Sequence, residues 1–217
     1  MGIQTPRPPS PLRVPSLLSD LLGPGSPAEV HARAAEALWS LAANAENKVT
    51  IAAAGAIPPL VQLLGPGSTA GVQQSAAGSL AALTHNAVNT ATIANAGAIP
   101  PLVQLLGFGS PAAVQHNAAG TLKNLAVNAE TAVTIASAGA IPPLVQLLGR
   151  GSPAGVQKEA SGALSNLAAD DDNAVIIASI GAIPPLIQLL GSDSPAPVRL
   201  NAARALSNLS SLRTRPP

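Results

Sequence analysis

The sequence GAIPPLVQLL occupies residues 55–64 and returns unchanged at 97–106 and 139–148. A fourth copy, GAIPPLIQLL, occupies residues 181–190, so each copy starts 42 residues after the one before it. A constant period of this length is typical of helical repeat arrays, in which each unit buries its apolar face against its neighbours. The repeat therefore points to a solenoid rather than to a globular domain.

Each unit is predicted to hold three helices, as the unit around Gly97 illustrates. Apolar spacing predicts a first helix over 88–96, which Gly97 ends in a left-handed conformation. Pro100 suits the first turn of a second helix, where no amide donor is needed. Small and branched apolar residues at spacings of three and four predict a third helix over 111–127. The fold class is accordingly all-α.

Two helix boundaries follow from residue chemistry. Ile99 precedes a proline, which disfavours the helical region, so we expect it to lie outside the second helix. Ser110 follows the corner Gly107-Phe108-Gly109 and is the expected N-cap of the third helix, since its hydroxyl accepts from a free backbone amide.

The run AGAIPPLVQLL at 138–148, followed by Val156-Gln157 and ALSNLA at 163–168, resembles the armadillo repeat of importin-α, β-catenin and plant armadillo proteins. HEAT repeats are the alternative within α-solenoids, but the Gly-x-Ile-Pro-Pro-Leu break favours armadillo. The resemblance implies a right-handed α-solenoid of about five armadillo repeats with three helices in each 42-residue unit. The segment 17–23 has the register of 59–65, so the first unit is incomplete.

The domain boundaries follow from this repeat. Residues 1–14 are rich in proline and are interpreted as a disordered leader, with the remnant of an organelle-targeting peptide as the alternative. The solenoid is assigned to 15–212, and 213–217 form a tail. Its units are placed at about 15–54, 55–96, 97–138, 139–180 and 181–212.

Composition excludes several classes of function. The 11 Lys and Arg nearly balance the 10 Asp and Glu, so no basic field indicates nucleic acid. Gly and Pro interrupt every apolar run before it reaches the length of a membrane span, so membrane insertion is not expected. There is no cysteine, which excludes disulfides and thiolate chemistry. Composition does not choose between the cytoplasm, the nucleus and an organelle.

No residue pattern indicates catalysis, and the chain is not expected to be an enzyme or to hold a cofactor or metal. His31, His85 and His116 are assigned to third helices of different units and have no carboxylate at ligand spacing. The acidic run Asp170-Asp171-Asp172 precedes a first helix, where carboxylates cap free amides. No nucleophile lies beside a base.

In armadillo proteins the third helices line a concave groove, and the Asn of a Leu-x-Asn-Leu segment hydrogen-bonds the backbone of an extended peptide. The resemblance places Asn124, Asn166 and Asn208 at that position, with Ser40 at the same position in the first unit. An amide offers both a donor and an acceptor, so it matches a peptide unit without reading its side chain. The other interpretation is that these Asn residues are merely tolerated on an exposed helix.

The groove departs from importin-α in one respect. A Trp stands one turn before the Asn in that family, whereas here the equivalent residues are Glu36, Gly78, Gly120, Gly162 and Arg204. Recognition of a nuclear localisation signal is therefore not expected. Trp39 falls one residue before Ser40 and is interpreted either as a packing residue or as a groove contact. The remaining groove candidates are Arg33, Asn117, Lys123, Glu159, Asn201 and Arg204.

Two kinds of protein partner remain open. The Asn series favours an adaptor that holds an extended segment of a partner in its groove. From Val49 to Leu122 there is no Asp, Glu, Lys or Arg, which favours a structural subunit embedded in a larger complex through neutral surfaces around Gln73, Gln74 and Gln115. The ends of the array lack polar caps, so self-stacking of chains is a further expectation.

Overall fold

The computed structural model describes residues 13–211 of the chain. Fourteen α-helices and no strand occupy this part. The first helices of the units are α3 (Ala45–Ala53), α6 (Ala87–Asn95), α9 (Ala129–Ser137) and α12 (Asp171–Ser179). The second helices are α1 (Arg13–Leu21), α4 (Ile57–Gln62), α7 (Ile99–Gln104), α10 (Ile141–Gln146) and α13 (Ile183–Gln188). The third helices are α2 (Ala28–Leu41), α5 (Ala70–Leu83), α8 (Ala112–Leu125), α11 (Ala154–Leu167) and α14 (Ala196–Ser210).

The third helices pack side by side in chain order and form the spine of the array. Their inner faces are fully buried, with the same leucine repeated at Leu38, Leu80, Leu122 and Leu164. Because the core is built from Ala, Leu, Ile and Val, each residue buries little area, and the array gains its stability from many repeated contacts. The predicted all-α solenoid with an incomplete first unit is confirmed.

The corner between first and second helices is set by glycine. Gly55, Gly97, Gly139 and Gly181 have φ between +76° and +83°, which confirms the predicted left-handed stop. The prediction for the next residues was wrong at one point, because α7 begins at Ile99 rather than after it. Ile99 is only 4% exposed, and burial of its side chain outweighs the preference of a pre-proline residue for extended backbone.

The N-cap of the third helix was also predicted wrongly. Pro111, not Ser110, is the N-cap of α8, and it makes no side-chain capping bond. Proline already has the extended conformation of an N-cap, with φ −58° and ψ 150°. The corner is closed instead by Gln115, whose Nε2 donates to the carbonyl of Gly107 at 2.9 Å.

The same glutamine bond closes the corresponding corners in neighbouring units. Gln73 donates to the carbonyl of Gly65 and Gln157 to that of Gly149, each at 2.9 Å. Gln73 and Gln115 therefore stabilise the corners of the array, and the neutral contact surface expected around them stays a prediction. Gln115 is 7% exposed because its amide lies over the corner.

The first helices begin at side-chain caps. Asn44, Asn86 and Asn128 accept hydrogen bonds from backbone amides of the first turn, and Asp170 does the same at α12. The capping role predicted for Asp170 is confirmed. The leader assigned to 1–14 falls mostly outside the described residues, and the two that are described, Arg13 and Val14, belong to α1. The tail at 213–217 also lies outside them.

Candidate functional site

The candidate site is the face of the third-helix row that carries the predicted Asn series, here called the ladder face. It is defined by Ser40, Asn124, Asn166 and Asn208 together with the residues one and two turns before them. Asn124, Asn166 and Asn208 are half-buried, while Ser40 is exposed. The regular packing of the third helices places these residues at equivalent positions in successive units.

Each Asn of the series is bonded to the preceding third helix. The Nδ2 of Asn166 donates to the carbonyl of Lys123 at 2.8 Å, and that of Asn208 to the carbonyl of Ser165 at 2.9 Å. Asn124 donates to Thr84 Oγ1 at 2.8 Å and more weakly to the carbonyl of Ala81 at 3.4 Å. One amide proton in each case joins two units. At Asn166 and Asn208 the amide oxygen and the second N–H remain available.

A second Asn series, which sequence reasoning placed in the groove, also joins units. Asn117 donates to the carbonyl of Gln74 at 3.0 Å, and Asn201 donates to that of Lys158 at 2.9 Å. Asn117 is 7% exposed, so it is a structural residue rather than an open contact. In the sequence, Asn recurs at one position of the third helices. Such a recurrence is expected whether the Asn contacts a ligand or bonds to the preceding unit, so the sequence does not distinguish the two roles.

Two of the three glycines that replace the aromatic row, Gly78 and Gly162, lie under a side chain from the preceding unit. The Trp39 ring lies across Gly78, where an added Cβ would fall 2.6 Å from a ring carbon. The Lys123 stem lies across Gly162 in the same way, with a Cβ distance of 2.8 Å. Gly120 differs because an added Cβ would meet only Glu159, at 3.7 Å. Trp39 is thus a half-buried packing residue on the ladder face.

An ionic cluster joins α8 to α11 on this face. The Glu159 carboxylate accepts from Lys123 Nζ at 2.5 Å and from Lys158 Nζ at 2.9 Å. Burial of Glu159, which is 5% exposed, would by itself raise the pKa of its carboxyl. The hydrogen bonds and positive charges of the two lysines outweigh burial, so the pKa lies below its ordinary value. One carboxylate holds two cations, and the cluster carries a net positive charge.

The remaining predicted residues lie at the two ends of the face. Arg33 pairs with Glu36 at 3.0 Å, and both side chains are exposed. Arg204 is exposed on α14. The ladder face is therefore self-neutralised at α2 and positive from α8 to α14.

A family comparison covers the four complete units. The model of the armadillo/β-catenin-like repeat matches residues 44–85, 86–127, 128–169 and 170–211. The chain belongs to the armadillo repeat family. Among curated protein sequences, none matches it at a significant level.

Several solved structures that resemble this armadillo chain are engineered proteins. An engineered protein of the Northeast Structural Genomics Consortium is 35% identical with a TM-score of 0.82, over 90% of this chain and 81% of that one. A designed armadillo repeat protein is 34% identical with a TM-score of 0.81, over 89% and 81%. Another, in complex with the peptide (KR)4, is 34% identical with a TM-score of 0.78 over the same shares.

Two cavities of the armadillo array adjoin the Asn series, and sequence reasoning missed both. The larger, of about 770 Å³, lies between α6 and α9 and is lined by Asn124, Thr84, Thr131 and Thr134. The smaller, of about 300 Å³, lies one unit further on. They form at the ends of the third helices, where no periodic apolar pattern marks them.

Within residues 13–211, no three His, Asp or Glu side chains gather closely enough to hold a metal ion. His31 and His116 lie in third helices, but His85 lies just beyond α5, contrary to its assignment to a helix. None of the helices in these residues is long and apolar enough to cross a lipid bilayer.

Proposed function

We propose that this armadillo chain is a protein-binding scaffold that holds an extended segment of a partner protein along the ladder face. The observation that carries the proposal is the bonding of Asn166 and Asn208. Each amide is fixed by one bond to the preceding helix and keeps an acceptor and a donor for a ligand. Pre-oriented amides at equal spacing match the main chain of an extended peptide, because that chain also repeats its donors and acceptors.

A related structure supports binding of a peptide. A designed armadillo repeat protein with 34% identity is in complex with (KR)4. We expect a different peptide here, since the cluster around Glu159 is already positive and the aromatic row is replaced by glycines. A segment with small neutral residues near Gly120 and an acidic residue near Lys158 fits this face better. The cavity beside Asn124, of about 770 Å³, has room for more than one side chain of such a segment.

We propose no catalytic activity, cofactor or metal for the chain. Armadillo repeat proteins are generally non-catalytic binding scaffolds, and the ladder face holds no nucleophile beside a base. We assign Asn117 and Glu159, which are 7% and 5% exposed, to support of the face, and keep the half-buried Trp39 and Asn201 as candidate ligand contacts.

The test compares two asparagines that make the same inter-unit bond. Peptides selected against the wild-type chain from a displayed library would be titrated against Asn166→Ala and Asn117→Ala. Both variants lose one bond to the preceding helix, but only Asn166 is accessible to a ligand. We expect about a tenfold loss of affinity for Asn166→Ala, equivalent to one lost hydrogen bond, and little change for Asn117→Ala. Equal affinities for the two variants would contradict binding on the ladder face.

A second candidate function rests on the uncharged stretch from 49 to 122. Val88 and Phe108 are 73% and 79% exposed there, and Phe108 lies in neither of the cavities beside the Asn series. These side chains favour a structural subunit whose neutral surfaces are covered in a larger complex. Phe108→Lys would disrupt such a complex and leave peptide binding at the ladder face unchanged. Loss of peptide binding in Phe108→Lys would contradict this separation of the two surfaces.

A further inference from the structure

Charge is divided between two rows of helices over residues 123–211. On the third helices α8, α11 and α14, the Lys, Arg, Asp and Glu residues are Lys123, Lys158, Glu159, Arg199 and Arg204. Only one of these five residues is an acid. The other acids of this range lie on the first helices α9 and α12, on the residue before α12, and at the corner before α14. Positive charge is therefore concentrated on the third helices, which carry the ladder face.

Three of these side chains meet beside Gly162. Lys123 Nζ bonds to one carboxylate oxygen of Glu159 at 2.5 Å, and Lys158 Nζ bonds to the other at 2.9 Å. The stem of Lys123 also lies across Gly162, 2.8 Å from the position of an added Cβ. One buried carboxylate thus fixes two ammonium groups, and each ammonium keeps two of its three N–H donors.

Arg204 lies on the neighbouring helix close to the same glycine. A Cβ added at Gly162 would also fall 3.0 Å from Asn201 Nδ2, so α14 lies against Gly162. Arg204 follows Asn201 by three residues, and side chains at this spacing share one face of a helix. Arg204 is exposed and forms no ion pair within residues 13–211. Its guanidinium is therefore free to bind a ligand that contacts the two lysines.

The charge of these four side chains matches one kind of anion. We call Lys123, Lys158, Glu159 and Arg204 the Gly162 cluster; three cations and one carboxylate give it a net charge of +2. The carboxylate of an Asp or Glu side chain would neutralise half of this charge. A phosphate monoester carries about −1.5 to −2 and offers three acceptor oxygens. Ammonium and guanidinium donors form their strongest hydrogen bonds with such an anion.

We propose that the Gly162 cluster binds a phosphorylated side chain of the segment held on the ladder face, so that phosphorylation of the partner promotes binding. This inference rests on the proposed function, because the segment must lie along the third helices. Asn166 follows Gly162 by one turn of α11, and Asn208 follows Arg204 by one turn of α14. The phosphate and the main chain of the segment would therefore be bound by adjacent residues.

The other end of the ladder face offers no such site. At α2 the Arg33 guanidinium is paired with Glu36 at 3.0 Å, so the two charges cancel. The next third helix, α5, carries no charged residue. A nucleic-acid strand repeats its negative charge at every nucleotide and would need positive charge along the whole face. A single cluster favours one modified side chain of a protein segment.

The test uses the 217-residue chain and synthetic peptide libraries with one fixed central residue between random neutral residues. The central residue is phosphoserine, glutamate or serine. The tightest phosphoserine peptide would be titrated by fluorescence polarisation beside its glutamate and serine counterparts. We expect it to bind about tenfold more tightly than the glutamate peptide and about 100-fold more tightly than the serine peptide. Equal affinities for the phosphoserine and glutamate peptides would overturn the proposal.

Two substitutions that remove the same charge provide a matched control. Lys158→Gln removes a cation of the Gly162 cluster, and Arg150→Gln removes an exposed cation at the corner before α11. We expect Lys158→Gln to weaken the phosphoserine peptide about tenfold and to leave the serine peptide unchanged. Arg150→Gln should change neither affinity, and circular dichroism would verify that both variants keep their helices. Equal weakening by the two substitutions would contradict a site at the cluster.

Asn166→Ala separates this inference from the proposed function. It removes a bond that both peptides should make, so it should weaken both alike. Weakening by Asn166→Ala without any advantage of phosphoserine would overturn this inference alone. A phosphoserine peptide that depends on Lys158 but not on Asn166 would support the phosphate site and contradict main-chain binding on the ladder face. A single-stranded oligonucleotide that bound as tightly, with the same dependence on Lys158, would overturn the assignment to a protein segment.

Discussion

The α2–α5 junction and the α8–α11 junction each pack a side chain over a glycine of the next third helix, but the two side chains differ in chemistry. In the first, the Trp39 ring covers Gly78; in the second, the Lys123 stem covers Gly162 and its ammonium binds the buried Glu159. Trp39 and Lys123 occupy the same position of the repeat. The comparison shows that either an aromatic ring or the stem of a lysine can pack over the glycine at this position of the repeat, while Gly120 has neither.

The largest expected effect is the loss of the aromatic cover. Trp39→Ala should lower the free energy of unfolding by about 2–4 kcal/mol, because the ring is half-buried over a glycine and leaves a cavity. Urea unfolding followed by circular dichroism measures it. The matched control is Lys123→Ala, which should cost less than about 1 kcal/mol, since the Lys123 ammonium is partly hydrated. Equal losses of unfolding free energy in the two variants would show that the Trp39 ring and the Lys123 stem stabilise their junctions alike.

Filling the glycine should be the next largest effect. Gly78→Ala places a Cβ about 2.6 Å from the Trp39 ring, which must move with its helix. Alanine favours a helix over glycine, but the displaced ring should leave a net loss of about 1–2 kcal/mol. Thermal unfolding of Gly78→Ala beside the wild type measures the difference. A stabilised variant would mean that the ring does not rest on this backbone.

The ionic junction should respond to pH. Because the pKa of Glu159 is lower in the folded chain than its ordinary value of 4.5, the unfolded chain binds the proton first as pH falls. The stabilisation is complete above this value and is lost as pH drops through the folded pKa. Glu159→Gln should cost about 1–2 kcal/mol at neutral pH, since both lysines remain partly exposed to water.

Urea unfolding of wild type and Glu159→Gln across the acid range tests this sign. The difference between the two should be largest at neutral pH and should shrink as pH falls below 4.5. A difference that grows toward acid would contradict the lowered pKa. The α2–α5 junction provides the control, because the loss in Trp39→Ala should not follow the titration of Glu159.

The smallest effect should have the opposite sign. An added Cβ at Gly120 has ordinary van der Waals distances, so Gly120→Ala should stabilise α8 by about 0.5–1 kcal/mol through its helix propensity. Thermal unfolding measured beside Gly78→Ala detects it. A loss at Gly120 would show that its surroundings are tighter than the distance to Glu159 indicates.

The fold could be predicted from the sequence because a constant period of 42 residues repeats the same packing contacts in each unit. Gly97 and its equivalents marked the left-handed corners, and the incomplete first unit followed from register alone. Ile99 and Ser110 were predicted wrongly, since tertiary burial and a proline N-cap overrode local preferences. The first residue of a helix is hard to predict from local preferences when two such preferences of similar strength favour different positions.

The site was harder to predict than the fold. Asn117 and Asn166 occupy similar polar positions in the sequence, yet one is buried and the other is accessible. The pairing of Lys123 with Glu159 joins residues 36 apart in adjacent units, which spacing within one helix does not reveal. The exposure of the side chain, rather than the residue type or the inter-unit bond, distinguishes the accessible Asn166 from the buried Asn117.

The most direct test of peptide binding along the ladder face is an NMR titration with a library-selected peptide. The side-chain amide signals of Asn166 and Asn208 should shift on saturation, while that of the buried Asn117 should stay in place. Backbone signals around Phe108 should also remain unchanged. Shifts confined to the surroundings of Phe108, with unmoved Asn166 and Asn208 amides, would contradict a peptide site on the third helices.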